Sequence, residues 1–223
     1  MITLYQLPHS PFCIPVRLIL DAAIVPFQIR NVSSGNRAEL ITLTDGAYYQ
    51  VPVIVDERAG RMLVYESGST SQDVARYLDQ EFVGGRLFPS RLDGIQDVIL
   101  HHLEDEVEGL TFRIQDPFYI DAEKDLVERV MMIRHKERKF GKGCVEKWRN
   151  DRSEMLCEAV RMLNPYEKML RHSAFLLGPE PVYCDYLLAG ILGNLTYGGH
   201  IILPDTIPLL RGFNARLEGV RHE

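Results

Sequence analysis

No apolar run in the 223-residue chain approaches the roughly 18–20 residues that a bilayer span requires. Basic residues are in deficit: 25 Lys and Arg against 31 Asp and Glu give a net charge of −6. A dedicated nucleic-acid-binding domain has the opposite balance. Cysteine is scarce, with only Cys13, Cys144, Cys157 and Cys184, too few for a disulfide framework over this length. No Cys-x2-4-Cys pair exists, so a zinc site lacks its usual spacing and no metal is expected. Internal repeats and low-complexity segments are missing. The opening Met1-Ile2-Thr3-Leu4-Tyr5 has neither a basic leader nor a small-residue cleavage site. These absences give the expectation of a soluble, reduced, cytoplasmic protein with no nucleic-acid or membrane partner. What remains is ordinary globular usage, 46% hydrophobic and 25% charged. That supports a sizeable core in one large domain or two small ones.

The first third alternates strand and helix chemistry. Residues 2–7 carry β-formers and stop at Pro8-His9-Ser10-Pro11, a cluster of turn and cap residues. Val16, Leu18, Ile19 and Leu20 then suggest a buried helix. A strand at 27–32, a short helix at 37–43, a hairpin of 51–55 with 62–65 and a helix at 67–78 follow. That β-α-β-α-β-β-α order implies an α/β domain whose first crossover is right-handed and parallel. After Gly84-Gly85 strand signals disappear, and apolar residues recur at helical spacing over 92–110, 124–135, 144–172, 185–197 and from 207 onward. The spacing therefore predicts domains at 1–83 and 90–223, joined by a linker at 84–89.

Three short strings can carry chemistry. In Pro8-His9-Ser10-Pro11-Phe12-Cys13 the chain passes from a strand into a helix N-terminus, whose unpaired N–H groups and partial positive charge favour an anion. A thiolate there has its pKa lowered from about 8.5 toward 7 or below. Equally, Ser10 can be a simple helix cap and Cys13 a small buried hydrophobe. Pro52, in Gln50-Val51-Pro52-Val53, belongs at a strand start. With a cis bond there, Val51 would turn its backbone N–H and C=O toward a ligand. In Tyr65-Glu66-Ser67, Ser67 and the N–H groups after it make a nest for a carboxylate, and Glu66 can take an ammonium; a capped helix with an exposed acid explains the same pair.

The Ser10-Pro11-Phe12-Cys13 segment with Val16-Arg17, Val51-Pro52-Val53, Glu66-Ser67 and the helical second half together resemble a cytosolic glutathione S-transferase over essentially the whole length. The resemblance implies a thioredoxin-like first domain and an all-helical second one. It implies that Pro52 is a cis-proline, that Val51 pairs with the cysteinyl backbone of glutathione, and that Glu66 and Ser67 hold its γ-glutamyl end. Arg37 is a candidate for the glycyl carboxylate. The activity implied is transfer of glutathione, as co-substrate, to a small hydrophobic electrophile, by a homodimer. Phe12, Leu103, Val107 and Phe112 are candidates for the electrophile pocket, although core packing explains such residues equally well. Serine stands at the nucleophile position and cysteine at the resolving one, so Ser10 and Cys13 are both catalytic candidates. A thiol reductase or peroxidase using Cys13, and a non-catalytic glutathione-binding module, are the competing functions.

Pro15 falls inside the first helical turns, which points to a helix starting nearer Cys13. A Ser/Thr-x-x-Asp capping box usual in the family is half present, with Asp185 in place and Val182 at the hydroxyl position. Asp185 is therefore expected to be structural. The basic run between Arg134 and Arg152 has few interleaved aromatics and reads as a solvated face. His101 and His102 read as surface or subunit-contact residues.

Overall fold

The structure is a computed structural model and describes residues 1–58, 60–66 and 72–222. Strands β1 (Ile2–Gln6), β2 (Phe27–Asn31), β3 (Val53–Asp56) and β4 (Met62–Tyr65) form one sheet in the order β2-β1-β3-β4. β1 pairs parallel with β2, whereas β3 runs antiparallel to both β1 and β4. Helices α1 (Cys13–Ala22), α2 (Ala38–Leu43) and α3 (Asp73–Leu78) complete the thioredoxin-like arrangement expected from the strand and helix order. The period-2 pattern assigns the two faces. Ile2, Leu4 and Ile54 pack under Val16, Ile19 and Leu20 of α1 and Val74 and Leu78 of α3. Val53, Tyr5, Leu63 and Tyr65 cluster on the other face with Leu40 of α2. The predicted helix 67–78 is observed from Asp73; residues 67–71 lie outside the described residues.

The second part is helical. Helix α4 (Asp93–His101) passes through a π-helical turn, His102–Glu108, directly into α5 (Gly109–Ala122). The expected end at residue 110 is thus overrun, and Pro117 lies inside α5. After α6 (Leu126–Phe140) the predicted 144–172 helix divides at Asp151 into α7 (Cys144–Asn150) and α8 (Arg152–Leu170). Helices α9 (Tyr183–Leu195), α10 (Pro208–Arg211) and α11 (Phe213–Glu218) close the chain. The 84–89 segment is pinned rather than slack: Asp79 accepts from the backbone N–H groups of Leu87 and Phe88, at 3.0 and 3.2 Å. Leu87 O in turn accepts from Gln96 Nε2 and from the Tyr183 N–H, both at 3.0 Å.

Every residue of α9 except Gly193 is buried, as a helix apolar on all sides must be. The missing hydroxyl cap is made good by Asp185, whose carboxylate accepts from Leu176 N at 2.8 Å and Val182 N at 3.0 Å. Its role is structural, as expected. α9 crosses α1 at Gly190, where a Cβ would meet Pro11 O and lie 2.7 Å from Pro15 Cδ and Cγ. Pro15 is the third residue of α1, which begins at Cys13, so its missing N–H costs no intrahelical bond. Gly190→Ala is expected to lower the unfolding free energy by about 3 kcal/mol, the upper end of overpacking costs. Urea denaturation reads this, and an unchanged midpoint would show that the two helices can part at no cost.

Candidate active site

The turn from β1 into α1 is built by its own hydrogen bonds. Ser10 N donates to Leu7 O at 3.0 Å, and Cys13 N and Ile14 N donate to Ser10 O, both at 3.1 Å. Ser10 Oγ accepts from Phe12 N and Cys13 N, each at 3.3 Å. Arg17 holds the turn from below through Gln6 Oε1 and Pro8 O, both at 3.1 Å. From the far side, Asn194 Nδ2 of α9 donates to His9 O at 2.7 Å. One strand, one helix and the buried helix of the other domain therefore converge on Ser10.

Ser10 borders a cavity of about 660 Å3 between the two domains, within the usual range for small-molecule sites. Phe12, Arg37 and Val51 join it from the first domain, and Glu108, Phe112, Asp116 and Tyr119 from the π turn and α5. Cys13 does not reach it. Its side chain is fully buried, and burial pushes the thiol up to about 11 against the opposing hydrogen bonds from Ser10 and Leu7 and the charges of Arg17 and Arg37. The expectation of a lowered thiol pKa is corrected, because desolvation outweighs the helix N-terminus.

The Val51–Pro52 peptide bond is cis, with Val51 at the cavity and Pro52 buried at the head of β3. Arg37 stands just ahead of α2, and its Nη1 is buried with no hydrogen-bond partner among the described residues. Glu66 follows β4 directly. Its carboxylate caps α3, accepting from Asp73 N at 2.7 Å and Val74 N at 3.3 Å, while burial raises it to about 7. It is not on the cavity wall, and Ser67 lies outside the described residues.

Leu103 and Val107 are corrected as pocket residues. Both are completely buried in the main core, because the π turn points them inward against the helical domain. Phe12 and Phe112 do line the cavity. The basic run is also corrected, in part. Arg134 pairs with Glu137 and Arg149 with Asp121 at the surface, as a solvated face would. Met132, His135, Lys136, Lys139 and Phe140 instead recur at helical spacing along the cavity side of α6, with Arg138 beside them. Lys136 pairs with Asp116 of α5. His101 is exposed between Asp97 and Asp105, while His102 Nδ1 meets the Tyr166 hydroxyl at 2.5 Å.

Local sequence reading missed three cavity residues. The His9 ring stacks on Tyr119 at 3.8 Å, and burial, with Arg37 and Lys136 nearby, lowers it to about 4, so it is neutral. Tyr119 donates to Asn194 O at 3.2 Å. Only Asn194 carried a signal, as the lone amide in a helix whose one charged residue is Asp185.

A family model described as glutathione S-transferase, N-terminal domain, matches residues 4–86. No curated relative matches the sequence. Among solved structures the chain is similar to glutaredoxin 2 from Salmonella typhimurium in complex with glutathione, with 18% identity and a TM-score of 0.73, covering 100% of this chain and 96% of that one. It is similar to the glutathione S-transferase CsGST83044 of Ceriporiopsis subvermispora in complex with glutathione, with 20% identity, a TM-score of 0.74 and coverage of 97% and 96%. A third likeness is maleylacetoacetate isomerase from Anaeromyxobacter dehalogenans with bound dicarboxyethyl glutathione and citrate, with 17% identity, a TM-score of 0.62 and coverage of 99% and 91%. At these identities the structural likenesses establish the fold.

The contrast between the buried Cys13 and the exposed Cys157 is open to chemical test. Iodoacetamide near neutral pH is expected to label Cys157 in the native chain and to leave Cys13 unmodified until the chain is denatured. Peptide mass mapping checks this, and a modified Cys13 in the native protein would contradict the sealed position.

Proposed function

We propose, from the match of residues 4–86 to the glutathione S-transferase N-terminal domain model and from the glutathione S-transferase fold of the chain, that the protein binds glutathione and conjugates its sulfur to an electrophile. The observation that carries this reading is the pairing of a cavity-lining Ser10 with a sealed Cys13. Two backbone N–H groups occupy lone pairs of Ser10 Oγ, and its O–H, the donor toward the Cys13 sulfur, is the group a glutathione sulfur at the cavity would compete for. Placed against the glutathione sulfur, that donor lowers the thiol pKa, and the thiol proton leaves to solvent. The thiolate then forms a C–S bond at the electrophilic carbon, and the displaced group departs with its electron pair. The protein supplies no covalent nucleophile. Its contribution is position and charge stabilisation.

In this reading the tripeptide lies along the first-domain wall. The Val51 backbone pairs with the cysteinyl residue, and the unpartnered Arg37 Nη1 meets the glycyl carboxylate. Glu66 and Ser67 hold the γ-glutamyl end. A carboxylate has about four acceptor sites, so two backbone bonds leave Glu66 room for an ammonium. The electrophile sits against Phe12 and Phe112. A reductase or peroxidase working through Cys13 loses support, since its thiol is neutral and closed off.

Two measurements test the assignment. Ser10→Ala is expected to lower conjugation roughly 10- to 100-fold, about 1.4–2.7 kcal/mol of transition-state stabilisation, while Cys13→Ala keeps it nearly intact. The reverse pattern would transfer the chemistry to Cys13, and an absence of turnover with any electrophile would leave a binding module. By calorimetry, Arg37→Ala or Glu66→Ala should weaken glutathione binding by about 1–3 kcal/mol, the scale of a lost charge-assisted bond. Unchanged binding in both variants would remove this placement of the ligand.

A further inference from the structure

Helix α6 contains no buried residue, yet it turns Met132, His135, Lys136, Lys139 and Phe140 to the cavity. Met132, Ile133 and Phe140 of α6 pack on the small core of Ile120, Cys144, Val145 and Trp148, while Lys136, Arg138 and Lys139 of the same helix border the cavity. Four permanent cations border that space, Arg37, Lys136, Arg138 and Lys139, against two acids, Glu108 and Asp116. Asp116 is taken by Lys136, and burial raises Glu108 to about 7, so it is only partly charged near neutrality. Among the described residues neither Arg138 nor Lys139 has an ion-pair partner, in a protein whose net charge is −6. An acidic molecule with an uncompensated basic cleft focuses anions into that cleft.

The cations border an aromatic wall. Phe112 and Phe140 lie 5.4 Å apart, with Trp148 edge-on to them at 5.7 and 5.4 Å. Lys136 Nζ stands 5.0 Å from the Phe112 ring centre and Lys139 Nζ 5.2 Å from that of Phe140. A ligand that suits both features is flat and apolar over most of its area and anionic at one end. Resting on the reading that glutathione occupies the first-domain wall, where Arg37 takes its glycyl carboxylate, we propose that the second substrate is an aromatic or conjugated molecule carrying a carboxylate or sulfonate, selected by Arg138 and Lys139 of α6. The hydrophobic electrophile expected from the sequence is thereby narrowed to an anionic one.

The test compares a charged and an uncharged probe of one shape. The full chain is titrated, with and without S-methylglutathione, with 1-anilinonaphthalene-8-sulfonate and with neutral N-phenyl-1-naphthylamine, following probe fluorescence. The anionic probe is expected to bind at least tenfold more tightly. In the double variant Arg138→Gln/Lys139→Gln the ratio of the two affinities should fall about tenfold; both side chains are exposed, and binding of the neutral probe reports an intact fold. Equal affinities in the parent protein, or a preference that survives the double variant, would overturn the proposal. Glutathione binding is measured separately by calorimetry. Lost glutathione binding with the anion preference intact overturns the transferase reading and leaves the anion site. Intact glutathione binding without the preference overturns the anion site alone.

Discussion

The close crossing of α1 and α9 at Gly190 is the constraint on which the site depends. Only a residue without a Cβ lets α9 approach the Pro11 carbonyl and the Pro15 ring. That approach brings Asn194, one turn further along α9, within 2.7 Å of His9 O. The Pro8-to-Cys13 turn is thereby held from both domains, and one hydrophobic core runs unbroken from Ile2 and Leu4 through Ile19 to Leu187 and Leu188. The cavity's other wall is α5, which packs on α9, and α6, which Glu128 ties to the Ser33 hydroxyl of the first domain. Precision of this kind suits a site whose work is positioning, where a displacement of about 1 Å can cost on the order of a hundredfold in rate.

Burial treats the two candidates, the Cys13 sulfur and the Ser10 oxygen, differently. A helix N-terminus favours a nearby anion by about 0.3–1 kcal/mol, up to roughly 2 in partly buried cases. Cys13 instead rises from its ordinary 9.0 to about 11, which corresponds to roughly 3 kcal/mol against the thiolate. Desolvation wins, and the position that local motif reading makes reactive becomes inert. Ser10 has no such conflict, because a neutral hydroxyl pays little for burial once its oxygen is hydrogen-bonded.

Much of the fold was legible because period and punctuation agreed. β1 ends at the Pro8-to-Pro11 cluster, β4 at the residue before Glu66, and α9 begins two residues before the Asp185 cap. Boundaries failed where local signals were weak or contradictory. The helix expected to end at residue 110 continues from the π turn past Pro117 to Ala122, because packing of α5 against α8 and α9 outweighs one lost bond. In the site, Val51, Arg37, Phe12 and Phe112 line the cavity, and the Val51–Pro52 bond is cis. Leu103 and Val107 did not, since a pocket wall and a core use the same apolar residues and only the π turn separates them. His9 and Tyr119 are 110 positions apart and meet only through the fold.

The basic run shows how composition misleads about direction. Arg134, Lys136, Arg138 and Lys139 are indistinguishable as local sequence, and charge in a helix is by default solvent-facing. Their spacing nonetheless splits them. Arg134 meets Glu137 at the surface, while Lys136 and Lys139 lie on the side that carries Met132 and Phe140. Met132 and Phe140 share that face with the lysines and also pack on the small core of Ile120, Cys144, Val145 and Trp148, so the face serves both a core and the cavity. Such a face is stable because each ammonium stands near an aromatic ring, Lys136 is paired with Asp116, and Lys139 stays exposed to water. The desolvation cost of the cations is then met by the ligand's own charge, which ties selectivity for that charge to the act of filling the cavity.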